Sequence, residues 1–141
     1  MKPKERCAVV VIVLYVLVFL ICRFVLQEYY LPGWASKRAL GYTWIVTWFL
    51  LFRDKTIAAM FHTVGTVVGL IIGQLSGDLL RAKRMAMIQE DTSPMQVYQL
   101  SRHFGVYIWF AIQLLFLVVG ILVGWCYKKK RESRLSETPD I

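Results

Sequence analysis

Residues 56–77 read TIAAMFHTVGTVVGLIIGQLSG, and glycine returns there at every fourth position, as Gly65, Gly69, Gly73 and Gly77. At about 3.6 residues per turn each of these advances about 40° around a helix, so the four trace one slowly winding strip. Ala58, Ala59, His62, Thr66 and Ser76 fall within that strip, while Val64, Val67, Val68, Ile71, Ile72 and Leu75 fall opposite it. One face is small and faintly polar; the other is bulky and branched. In lipid no hydrophobic force joins helices, so association rests on close packing and hydrogen bonds, and missing side chains let a second backbone approach. The stretch therefore predicts a membrane helix that packs through its glycines, a glycine zipper. Gln113, Gly120 and Gly124 share one side of the last apolar segment, flanked by Trp109, Phe116 and Tyr127, and that side is expected to meet the strip.

The rest of the chain suits a bilayer. Of its 141 residues 57% are hydrophobic, and mean hydropathy is +0.53. A water-soluble body this small has too little interior to hide so much apolar side chain. The net charge of +8 comes from basic residues that flank apolar runs, which makes them topology signals and contacts to anionic lipids rather than a nucleic-acid footprint. Cys7, Cys22 and Cys126 are three in number and scattered, which excludes a disulfide framework or zinc knuckle. No asparagine occurs, so there is no N-glycosylation acceptor. Basic Lys2, Lys4 and Arg6 precede an apolar run, but no small-residue cleavage site follows it, and the run is read as an uncleaved first helix.

The expected fold is all-α: an integral membrane four-helix bundle forming a single transmembrane domain over 1–131. Its spans are placed at about 7–26, 39–52, 56–77 and 104–127. The loop at 27–38 carries a Pro32-Gly33 turn signal; the apolar run at 39–52 is short for a crossing and needs Lys37 and Arg38 to snorkel or a locally thin bilayer, with a re-entrant element as the alternative. Arg53, Asp54 and Lys55 form a tight polar turn. Residues 78–103 are read as an extramembrane hairpin, so that the third and fourth helices form one long antiparallel pair extending beyond the bilayer. Within it Ser93, Pro94 and Gln96 carry a capping-box signature, and the helix they start is expected to run on unbroken through Leu100 into the last span. Residues 132–141 read as a disordered polar tail. The two termini and the 53–55 turn hold ten of the 17 basic residues, which favours both termini in the cytoplasm of a bacterial plasma (inner) membrane.

A few polar residues stand where lipid belongs. His62, Gln74, Asp78 and Gln113 are the candidate intramembrane polar groups; such groups cost a few kcal/mol and call for an account. His62 and Gln113 suit bonds to neighbouring helices, and Asp78 has Arg81 nearby as a simple charge partner. Arg81, Lys83, Arg84 and Arg102 are candidate contacts to anions or lipid headgroups. No HExxH, P-loop, GxSxG or Cys-His pattern occurs, and no ligand set for a metal, so neither a cofactor nor a metal is expected. His62-Thr63-Val64-Gly65 followed by Gly69 resembles the Asn-Thr-x-Gly-x-x-x-Gly stretch of VanZ-like membrane proteins over eight residues. Ala58 stands where that family has Asp, His62 where it has Asn, and its other motifs are missing, so the resemblance carries no activity over.

The leading expectation is a non-enzymatic protein acting through helix–helix association, as an accessory, assembly or interaction subunit of a larger membrane complex or as a homo-oligomer. A small oligomeric transporter or channel with a polar path near His62, Gln74 and Gln113 is the alternative. A lipid-active enzyme that binds phosphate through its basic cluster is the third reading.

Overall fold

The computed structural model describes residues 3–89 and 91–136; Lys2, Glu90 and the last part of the expected tail, 137–141, lie outside the described residues. The described chain is all-helical. Helix α1 spans Pro3–Leu20 and passes into a π-helical turn, Ile21–Val25, closed by Leu26 N–H donating to Ile21 O at 2.9 Å. Then follow α2 (Tyr30–Arg38), α3 (Leu40–Phe52), α4 (Thr56–Met85), α5 (Pro94–Ser101) and α6 (Gly105–Ser136). Three stretches are long and apolar enough to cross a membrane: Glu5–Val25, Thr56–Met85 and Pro94–Lys130.

Helix α4 is the axis of the molecule. Its strip of small residues lies against α6, with Gly65 at Phe116, Gly69 at Trp109 and Ile112, Gly73 at Gly105, and Ala58 at Gly120. Partner numbers fall as α4 numbers rise, so the two helices run antiparallel. At Gly73 and Gly105 each backbone carbonyl occupies the space where the other residue would carry a Cβ. The branched face of α4 is open: Val64, Ile71, Ile72 and Leu75 are all exposed on the isolated chain.

Helices α1, α2 and α3 pack beside α6 on α4 through two apolar clusters. Cys22, Leu31, Ala35, Ala39, Leu40, Leu70 and Trp109 form the one nearer Gln74. Val11, Tyr15, Leu50, Leu51, Ala58 and Ala59 form the other. Helix α1 looks apolar all round in sequence, yet it has an inner side: Val11 and Tyr15 are buried, as is Cys22 in the π-helical turn that follows, while Val9, Val10, Val13 and Leu17 are exposed.

Several local expectations need correction. Residues 30–38 are a helix rather than a loop, with Leu31 and Ala35 fully buried. Pro32 and Gly33 lie in its first turns, where proline's missing N–H has no helical partner to lose. Tyr30–Phe52 is helical except at Ala39, where φ −120° and ψ −29° bend the backbone. Hydrogen bonds from Ala39 N–H to Ala35 O (3.0 Å) and Thr43 N–H to Ala39 O (3.2 Å) continue across the bend. The last apolar helix does not begin at Pro94. Ser93 and Gln96 do form a reciprocal capping box, but α5 stops at Ser101 and Arg102 turns extended at ψ 131°. Helix α6 continues to Ser136, past the basic run, helped by the Lys128–Glu132 pair at 3.8 Å.

The 53–55 turn has a definite form. Lys55 N–H donates to Leu50 O (2.9 Å) and Asp54 N–H to Leu51 O (3.1 Å), which is a Schellman closure of α3. Asp54 occupies the left-handed position at φ 56°, which Asp tolerates better than most side chains.

Candidate functional site

Two constellations of polar side chains lie along α4, the first buried and the second partly buried, with the Asp78 carboxylate half-exposed. The first sits between the two apolar clusters. Thr43 and Thr47, four residues apart on α3, present both hydroxyls to one side. Thr47 Oγ1 lies 2.9 Å from His62 Nδ1 and 3.0 Å from the Tyr15 hydroxyl, and it also reaches Thr43 O at 3.1 Å. Tyr15 Oη lies 3.2 Å from Thr66 Oγ1. The Thr66 hydroxyl donates back to His62 O at 3.0 Å, and Trp109 Nε1–H donates to Thr66 O at 3.0 Å. Four helices, α1, α3, α4 and α6, thus meet through one set of hydrogen bonds. Tyr15, Thr47, His62, Thr66 and Trp109 are each no more than 5% exposed. In such surroundings an unmade hydrogen bond costs a few kcal/mol, so the set fixes how the helices sit.

The second constellation closes one end of the molecule. Leu31 N–H, in the first turn of α2, has no helical acceptor; Gln74 Oε1 of α4 takes it at 2.7 Å. Gln74 Nε2–H donates to Asp78 Oδ2 at 2.7 Å. Asp78 Oδ1 lies 3.2 Å from His103 Nε2, and His103 Nδ1 accepts from Gly105 N–H at 3.1 Å. Since Nδ1 is an acceptor, the proton lies on Nε2 and points at the carboxylate. Tyr30 lies against the imidazole, ring centroids 4.4 Å apart. The short break at 102–104 therefore has a cause: the His103 side chain turns inward and caps the start of α6.

The residues singled out from the sequence fall out as follows. His62 belongs to the first constellation, and Gln74 and Asp78 to the second. Asp78 is held by Gln74 and His103, not by Arg81, because the fold brings the segment before α6 over the end of α4. Gln113 is buried at 4% exposure, and its Nε2 has no hydrogen-bond partner among the described residues. Gly65, Gly69, Gly73 and Gly77 all lie under α6 or His103. Gly120 lies close against Phe61 and Ala58; Gly124 meets only Ile57, at an ordinary 3.8 Å. The basic cluster divides. Arg84 is half-buried, lies 4.4 Å over the Phe104 ring and has its Nη1 buried with no hydrogen-bond partner among the described residues; Arg102, Arg81 and Lys83 are exposed, with Arg102 donating to the Tyr107 hydroxyl at 2.5 Å.

Sequence reading missed Tyr15, Thr47, His103 and Gly105, and it placed Trp109 beside the strip without its hydrogen bond to Thr66 O. The Thr43/Thr47 spacing in an apolar segment was a usable signal, and so was a lone tyrosine in the middle of α1. Among the described residues no group of His, Cys, Asp and Glu is arranged to hold a metal ion. No family model, curated protein or solved structure matches this chain.

Proposed function

We propose that the chain is a non-enzymatic polytopic membrane protein that works by lateral association, as an accessory or assembly subunit of a larger membrane complex. In this reading it crosses the bilayer four times, with the bent α2–α3 unit as the second crossing. Both termini then lie on the cytoplasmic side, and the α4–α5–α6 region forms the hairpin that stands beyond the opposite face. Helix α3 alone, with 13 residues, reaches only about 20 Å of a core about 30 Å thick; snorkelling of Lys37 and Arg38 to the headgroup layer and local thinning of the bilayer make up the remainder.

The observation that carries the reading is that the His62 imidazole and the Asp78 carboxylate, both on α4, are taken up by hydrogen bonds within the chain, Asp78 while its side chain stays half-exposed. His62 bonds Thr47, and Asp78 stands between Gln74 and His103. A transport path through His62 and Gln74 finds less support, since they sit about 18 Å apart along α4 in separate, packed clusters. A phosphate-binding enzyme site finds less support too, since Arg84 and Arg102 face aromatic rings. Large apolar side chains stay open on α3 and α6, among them Ile45, Phe49, Leu114, Leu115 and Leu122. These are the surfaces available to lipid or to another membrane helix.

The test is extraction of the tagged full-length protein from its native membrane in mild detergent, followed by sizing and identification of what travels with it. A stoichiometric integral membrane partner is expected. A protein that runs as a stable lone monomer, at every detergent concentration that keeps it folded, overturns the proposal.

A further inference from the structure

We infer that the cleft beside the α2–α3 bend binds one anionic glycerophospholipid. The cleft holds about 570 Å³ and lies between the bend and α6, lined by Trp34, Lys37, Arg38, Tyr42 and Phe110. It is open to the surroundings rather than enclosed, as suits a ligand that stays partly in the bilayer. Lys37 and Arg38 are exposed, and neither makes an ion pair among the described residues. Their position makes that unusual. Phe110 lies five residues into α6 from Gly105, about 7 Å along the axis, so the two cations stand beside the apolar part of the molecule rather than out in the loops. A cation there is costly unless its stem reaches to the headgroup layer and meets a negative charge.

A lipid phosphate meets both requirements. Two adjacent cations select a headgroup with net negative charge over a zwitterionic one, whose own cation would stand beside them. Basic pockets between membrane helices are suited to acidic headgroups on the same grounds. The remaining walls choose a lipid over a soluble anion. Trp34 and Tyr42 offer amphipathic rings of the kind that favour the headgroup zone, and Phe110 adds an apolar wall. From Tyr42 the cleft opens onto Ile45 and Phe49 of α3, which are 65% and 57% exposed and sit at helical spacing along one stripe. An acyl chain laid along that stripe covers them while the phosphate stays at Lys37 and Arg38.

The experiment uses the full-length protein in a neutral detergent, with phosphatidylglycerol titrated in and retained lipid counted by native mass spectrometry. One phosphatidylglycerol per chain is expected to bind the wild type, with phosphatidylcholine and inorganic phosphate failing to compete. The K37Q/R38Q protein should bind about thirty-fold more weakly. K37R/R38K should restore binding, and R81Q/K83Q, which removes the same charge elsewhere, should leave it unchanged. Tyr42→Ala, at a position 73% exposed, should weaken binding severalfold. The proposal is overturned if K37Q/R38Q binds like wild type, if R81Q/K83Q loses binding equally, or if phosphatidylcholine or free phosphate competes.

Discussion

Replacing Gly73 by alanine tests the α4–α6 interface most directly. A Cβ at Gly73 would lie 2.8 Å from Gly105 O, 2.8 Å from Leu31 Cδ2 and 3.3 Å from Trp109 Cβ. Leu31 can adjust its rotamer, but Gly105 O is backbone. Trp109, fully buried and bonded to Thr66 O, has nowhere to move. Relief therefore requires α6 to retreat by about half an ångström, which weakens van der Waals contact along the helix pair. Overpacking of this kind costs about 1–3 kcal/mol, while alanine's higher helix propensity returns up to about 1 kcal/mol. A net loss of about 1–2 kcal/mol is expected for Gly73→Ala. Gly41 is the internal control, because nothing lies within 4 Å of its added Cβ; Gly41→Ala should be neutral or stabilising by up to about 1 kcal/mol. Unfolding in mixed micelles with increasing sodium dodecyl sulfate, followed by circular dichroism, measures both. Equal effects of the two substitutions would refute the claim that α4 and α6 meet backbone to backbone at Gly73.

The two hydrogen-bonded constellations yield further expectations. Thr47→Val removes the oxygen shared by His62, Tyr15 and Thr43 O, and should cost about 1–3 kcal/mol by leaving buried polar groups unpaired. Tyr15→Phe should cost about 1 kcal/mol, and the double variant should lose clearly less than the sum, since both changes break the same bond; strict additivity in a double-mutant cycle argues against the network. Gln74→Ala strips the acceptor from Leu31 N–H, so amide exchange at Leu31 and in the first turn of α2 should quicken markedly while exchange in the middle of α4 changes little. Unchanged protection at Leu31 would show that Gln74 does not cap α2.

Legibility followed the nature of the signal. The period of apolar and small residues marked the long helices, because lipid demands continuous apolar segments and a helix leaves its periodicity in the chain. The turn chemistry of Asp54 and the Ser93 cap were visible because such hydrogen bonds are local. Helix α2 was missed because Pro32-Gly33 is a turn signal in one context and a first helical turn in another, and only the cover provided by Leu70, Gln74 and Trp109 selects between them. The break before α6 was missed because its cause, His103 capping Gly105 while bonded to Asp78, joins residues 25 positions apart.

By itself, then, the sequence determined that this protein is helical, that its long helices are apolar enough to cross a membrane, and that one side of residues 58–77 is small enough for close approach. These are properties of composition and of a 3.6-residue repeat. The tertiary structure decided the antiparallel register of α4 on α6, the face that α1 turns inward, and the partners of His62, Gln74 and Asp78. A hydrogen bond between side chains on different helices depends on the relative placement of whole segments, and no local pattern in the chain encodes that placement.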